Sequence, residues 1–129
     1  MVPFRAAVED QDLERAVSLL AEDVRFRSPI VFQTYEGRDA VAVLLGAVMR
    51  VFEDFRYVRE IGDAVDHALV FEARVGSRTL EGCDFLHTNE DGLIDEFAVM
   101  VRPLSGALAL AEAMKAQLAA LESPDPALS

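Results

Sequence analysis

With 129 residues, 52% of them hydrophobic, the chain can bury the core of one domain and is too apolar to stay disordered, so a single domain over residues 1–121 is expected. A formal net charge of -11 sets long-range Coulomb forces against phosphate backbones and anionic lipid, which excludes nucleic acid as an expected partner. Apolar runs stop short of the roughly 20 residues that span a bilayer and no signal-like start is present, so no membrane association is expected, while the lone Cys83 suits a reducing, cytoplasmic setting.

Pro3 fits the first turn of a helix, where its missing N–H would be unbonded anyway, and a short helix over Phe4–Glu9 follows. Asp12 can cap a second helix over Leu13–Ala21, in which Leu13, Ala16, Val17 and Leu20 recur at helical spacing. Val24-Arg25-Phe26-Arg27-Ser28 alternates apolar or small residues with arginine. This predicts a half-buried strand ended by Pro29, with Val24, Phe26 and Ser28 inward and Arg25 and Arg27 outward toward acids such as Glu72 or Glu96. Ile30 to Glu36 reads as a loop or short bent strand, and Gly37 punctuates before the next helix. From Arg38 to Phe55, the residues Val41, Leu44, Leu45, Val48, Phe52 and Phe55 keep a helical period and predict a long helix lying on an apolar surface.

Strands are predicted next over Tyr57–Ile61 and His67–Val75, the latter with Leu69, Phe71, Ala73 and Val75 on one parity. After the turn at Gly76-Ser77, Arg78 to Arg102 reads as an antiparallel hairpin closed by Thr88-Asn89-Glu90-Asp91-Gly92, where Gly92 can take a positive φ. Its second strand, Ile94 to Arg102, puts Phe97, Val99 and Val101 on one face. Its first strand places Leu80, Gly82, Asp84 and Leu86 on one parity, which sets a single carboxylate in an otherwise apolar or small row. An Ala-rich amphipathic helix over about residues 105–121 follows, and residues 122–129, with Pro124 and Pro126, are expected to form a flexible tail. Helices early and antiparallel strands later make an α+β plan, in which the sheet curls around the long helix and leaves a cone.

These pieces resemble the nuclear transport factor 2-like superfamily and, within it, the SnoaL-like, polyketide cyclase-like domains. The likeness lies in Gln11-Asp12-Leu13, Glu22-Asp23-Val24-Arg25-Phe26 leading to Ser28-Pro29, Tyr35-Glu36-Gly37-Arg38-Asp39-Ala40-Val41, and the Asp84 hairpin with Asp91-Gly92. It implies a cone-shaped, cystatin-like α+β barrel whose strongly curved antiparallel sheet encloses a deep pocket, usually in a homodimer. Functions in such a superfamily run from cofactor-independent isomerases, cyclases, dehydratases and hydrolases to non-catalytic binding or accessory dimers, so the fold alone licenses no single activity. Ketosteroid isomerase, of the same superfamily, keeps a protonated aspartic acid where Asp84 falls. Its general base corresponds to Ser28 and its oxyanion tyrosine to Phe4, so two of its three groups are absent here, which argues against steroid-isomerase chemistry.

Asp84 on the inward parity is the candidate catalytic acid or base, since burial without a cation raises a carboxylate pKa. Phe26, Phe71, Phe97 and Val99 are the expected apolar wall around a small organic ligand, with Ser28 and Tyr35 as polar lining. No histidine falls beside Ser28 by spacing, so it is not read as an activated nucleophile. Cys83 and His87 share a parity, yet two ligands do not make a metal site, so neither a metal nor a cofactor is expected.

Overall fold

The computed structural model describes residues 2–122, so the expected tail, apart from Glu122, lies outside the described residues. Two short helices, α1 (Pro3–Glu9) and α2 (Leu13–Ser18), lead into β1 (Leu20–Arg27), β2 (Thr34–Glu36) and α3 (Arg38–Val51). Four long strands follow, β3 (Glu53–Gly62), β4 (Asp66–Val75), β5 (Arg78–Thr88) and β6 (Ile94–Arg102), and α4 (Leu104–Glu122) closes the order. The strands make one sheet in the order β2-β1-β6-β5-β4-β3, strongly curved and not closed. Every neighbouring pair is antiparallel except β1 and β6, which run parallel.

That parallel pair explains where the second helix ends. Helical spacing predicts α2 as far as Ala21, yet Ser18 is its last residue. Leu20 pairs with Ile94, the Ile94 amide donates to the Leu19 carbonyl at 2.9 Å, and Leu20 is fully buried. A sheet partner remote in sequence thus overrides a local helical pattern. The helix start is as expected: the Asp12 carboxylate accepts from the Arg15 amide at 3.1 Å, satisfying one of the donors a helix leaves open.

The long helix also ends early, at Val51 rather than Phe55. Phe52 is already extended and Asp54 has φ 53, so the chain swings into β3 with an irregularity in the ladder between Glu53 and Arg56. Arg74 holds this junction, donating to Asp54 at 3.0 Å, to Glu53 at 3.0 Å and to the Gly76 carbonyl at 2.6 Å. Phe52 and Phe55 keep facing inward although the backbone beneath them changes. Their rings stack 5.5 Å apart and both meet Phe71, at 5.5 and 5.0 Å.

On β4 the alternation is as expected, with Leu69, Phe71, Ala73 and Val75 buried. On β5, Leu80, Gly82, Asp84 and Leu86 are the buried set. Gly82 lies opposite Phe71, and a Cβ on Gly82 would overlap that ring, so the glycine lets the phenylalanine lie flat across β5. Gly106 does the same for α4, because a Cβ there would stand 2.7 Å from the Leu80 Cβ. In the β5–β6 turn Gly92 has φ 79, and the Asn89 side chain accepts from the amides of Asp91 and Leu93 at 2.9 and 3.0 Å. Arg25 faces outward but pairs with Glu36 at 3.8 Å rather than with Glu72, which is taken by Arg56 at 2.7 Å.

Candidate functional site

Between the concave face of the sheet and the helices lies a cavity of about 1100 Å³. The floor is set by parity. Asp84 stands in register with Leu69 on β4 and Val99 on β6, and the row around it is apolar. Phe26, Phe71, Phe97 and Val99 line the cavity, as do Ser28, Tyr35 and Asp84, so all seven residues singled out in the sequence border one space.

Asp84 is 6% exposed, the only charged side chain among the buried residues described. Its partner is Tyr57, whose hydroxyl donates to Asp84 Oδ2 at 2.8 Å. Tyr57 belongs to β3, two strands away, and its ring reaches diagonally across β4. Desolvation is the dominant influence and pushes the Asp84 carboxyl up to about 7, against the smaller opposing pull of the Tyr57 hydrogen bond on the charged form. The phenol is held well above its ordinary value, first by its own burial and then by the neighbouring carboxylate. Both groups therefore keep a proton more tightly than they would in water, and Asp84 exchanges its proton near neutral pH.

A cation stands over the phenol but is shared with two acids and lowers the Tyr57 pKa only as the smallest of its influences. Arg5 of α1 lies over the Tyr57 ring, 6.0 Å from its centroid, and is engaged by Glu9 at 3.4 Å and Glu60 at 3.6 Å. Phe4, in the same helix, is buried edge-on against Phe97 at 5.3 Å and brings no polar group to the cavity. The tyrosine next to Asp84 thus comes from β3 and not from α1. Sequence reasoning missed it, although Phe55 and Tyr57 alternate with Asp54, Arg56 and Val58, a strand parity that would have turned both rings inward.

Ser28 borders the cavity but its hydroxyl is turned to the backbone, accepting from the amides of Ile30 and Val31 at 3.0 and 3.4 Å. It lies one residue past β1, shaping the turn into the exposed Ile30-Val31-Phe32 segment. Tyr35 packs on Phe26, ring centroids 6.4 Å apart, and is half-buried. His87 is remote in role: its Nδ1 lies 2.6 Å from Asp95 Oδ1, and this contact raises its pKa. Among the described residues no three His, Cys, Asp or Glu side chains are placed to hold a metal ion.

The profile of the SnoaL-like domain matches residues 3–97. A search of curated proteins found no match. Among solved structures, a steroid delta-isomerase from Pseudomonas aeruginosa is 41% identical and superimposes with a TM-score of 0.87, over 92% of this chain and 88% of its own. An uncharacterised protein with a cystatin-like fold from Silicibacter pomeroyi is 40% identical, TM-score 0.85, over 95% and 92%. A de novo designed protein with a curved β-sheet, 16% identical, reaches a TM-score of 0.67 over 85% and 95% and shares the fold alone. The order of elements, the curved sheet and the matched segment together place this chain in the family of SnoaL-like domains.

Proposed function

We propose that the cavity binds a largely apolar organic molecule and that Asp84, with Tyr57, exchanges a proton with it in a cofactor-independent reaction of the isomerase type. The observation that carries this is the buried Asp84–Tyr57 hydrogen bond on the wall of the large cavity, with the carboxyl raised to about 7. A double-bond shift beside a carbonyl needs one group to remove a proton from carbon and return it to another. A carboxyl ionising near neutrality is populated in both forms, so a single residue serves as base and then as acid. Tyr57 donates to the carboxylate in its charged state and keeps it oriented. Ser28 Oγ accepts from two amides, so it is no base for this step, and its O–H remains the donor it can offer a ligand in the cavity. The Pseudomonas aeruginosa relative, 41% identical, is named a steroid delta-isomerase, which supports an isomerase-type reaction here, run by the Asp84–Tyr57 pair in place of the base and the helix-borne tyrosine that Ser28 and Phe4 replace.

Asp84→Asn tests it. In a screen of α,β- and β,γ-unsaturated carbonyl compounds, turnover by the wild type that falls at least about a hundredfold in Asp84→Asn, with ligand affinity kept, is the expected result. Turnover that survives the substitution would sink the assignment. Binding without turnover in both proteins would leave a binding module.

Homodimerisation through the outer face of the sheet is part of the same proposal. Val58, Phe85 and Met100 are exposed there, with Cys83 in register with Met100 and Phe85 with Ala98. Sedimentation velocity of the wild type against Met100→Lys, expected to shift dimer to monomer, checks it. The half-exposed free thiol of Cys83 on that face fits a reducing, cytoplasmic setting. Among the described residues no helix is long and apolar enough to cross a membrane.

A further inference from the structure

The charged side chains that line the cavity differ in whether their charge is already matched. Glu9 lies 3.4 Å from Arg5, and Asp54 lies 3.0 Å from Arg74. Asp84 is bonded to Tyr57. Arg50 and Lys115 also line the cavity, and among the described residues neither forms an ion pair. The Arg50 Nε donates only to the neutral Oε1 of Gln117, at 3.0 Å, which ties the end of α3 to α4. Its guanidinium is folded back along α3, within 3.8 Å of where a Cβ on Gly46 would stand. Lys115 is the sole lysine of the sequence, and the nearest acid along α4, Glu112, is not on the cavity wall.

Both cations are exposed whereas Asp84 is buried, so they mark the rim and Asp84 the floor. In a chain of net charge -11 the surrounding field repels anions, and a rim with two unmatched cations is where that repulsion is locally reversed. Resting on the reading of the cavity as a ligand site, we infer that its ligand is an amphipathic organic anion. Its apolar body and carbonyl-like end lie against Asp84 and Tyr57, and a carboxylate or other oxyanion at its far end is received by Arg50 and Lys115.

Two fluorescent probes that differ by one group test this. N-phenyl-1-naphthylamine and 8-anilinonaphthalene-1-sulfonate share an aromatic frame, and only the second carries an anion. The sulfonate is expected to bind about tenfold more tightly at low salt, an advantage that shrinks at about 0.5 M salt. In Arg50→Gln/Lys115→Gln that advantage is expected to vanish with the naphthylamine Kd unchanged. Lys115→Glu, a surface change that leaves the Arg50–Gln117 bond in place, is expected to weaken the sulfonate alone. Equal affinities in the wild type, equal weakening of both probes, or failure of the two to displace each other would overturn the inference. Neither probe binding would overturn the cavity reading itself, which is a distinct result from naphthylamine binding without a preference for the anion.

Discussion

Replacing Asp84 with asparagine keeps the side chain's shape and removes its charge, so the difference between the two proteins isolates the cost of a buried carboxylate. In the folded wild type this carboxyl ionises at about 7, against an ordinary value of 3.8. At about 1.4 kcal/mol for each tenfold change in proton affinity, the gap is worth about 4 kcal/mol. The sign follows from which state holds the proton. Below the ordinary value both states are protonated and Asp84 contributes no pH dependence. Between 3.8 and about 7 the unfolded chain releases the proton while the folded protein keeps it, so stability falls as pH rises. Above about 7 the full penalty is present. Tyr57 and Cys83, whose pKa values Asp84 raises, titrate above the range used, and the other groups cancel in the difference. Urea unfolding from about pH 4 to 8.5 should therefore show Asp84→Asn gaining on the wild type by up to about 4 kcal/mol, with the rise complete near pH 7. A difference that stays flat with pH would mean that the carboxyl ionises as it does in water, and the proton-exchange role would fall with it.

Tyr57→Phe removes the hydrogen bond that favours the charged carboxyl, so the Asp84 carboxyl carbon should titrate about one to two pH units higher by NMR; an unchanged midpoint would refute the contact. Gly82→Ala forces a Cβ into the Phe71 ring and should cost roughly 1–3 kcal/mol in denaturant unfolding, and the penalty should shrink when Phe71 is replaced by Leu. Asp95→Asn removes the largest influence raising the His87 pKa, so the imidazole should titrate closer to 6.5 by proton NMR. A histidine raised in this way contributes stability that is present below 6.5 and lost as pH rises through its folded value, and that part of the pH profile should flatten in the variant.

The hairpin of β5 and β6 was legible because its information is local. A turn with Asn89 and Gly92 and the alternation along β5 suffice to put Asp84 among Leu80, Gly82 and Leu86. The end of α3 was not legible, because Val48, Phe52 and Phe55 fit a helical period as well as they fit a helix that stops and a strand that begins. What decides is the pairing of β3 with β4, in which Glu53 stands in register with Arg74, some 20 residues away in sequence, with the Arg74 ion pairs as a minor addition. The β1 ladder was missed over Leu20 for the same reason, since its partner Ile94 is remote. Tyr57 shows a further limit. Its hydroxyl meets Asp84 across an intervening strand, and diagonal reach over β4 depends on the curvature of the sheet and the length of the phenol, which no pattern of alternation encodes.

The energetic oddity of the site is itself an argument about function. A domain of this size retains only about 5–15 kcal/mol of net stability, and a buried carboxylate costing about 4 kcal/mol above pH 7 consumes a large share of it. A carboxylate retained for structure would be offset by a cation or by several backbone amides. Arg5 lies over the Tyr57 ring and is engaged by Glu9 and Glu60, and the one side-chain donor to the Asp84 carboxylate among the described hydrogen bonds is a phenol that also resists losing its proton. An asparagine could accept the same hydrogen bond without the penalty. What it could not do is take up and release a proton near neutral pH at the wall of the cavity, and that capacity is the one property of Asp84 that the rest of the fold leaves unexplained.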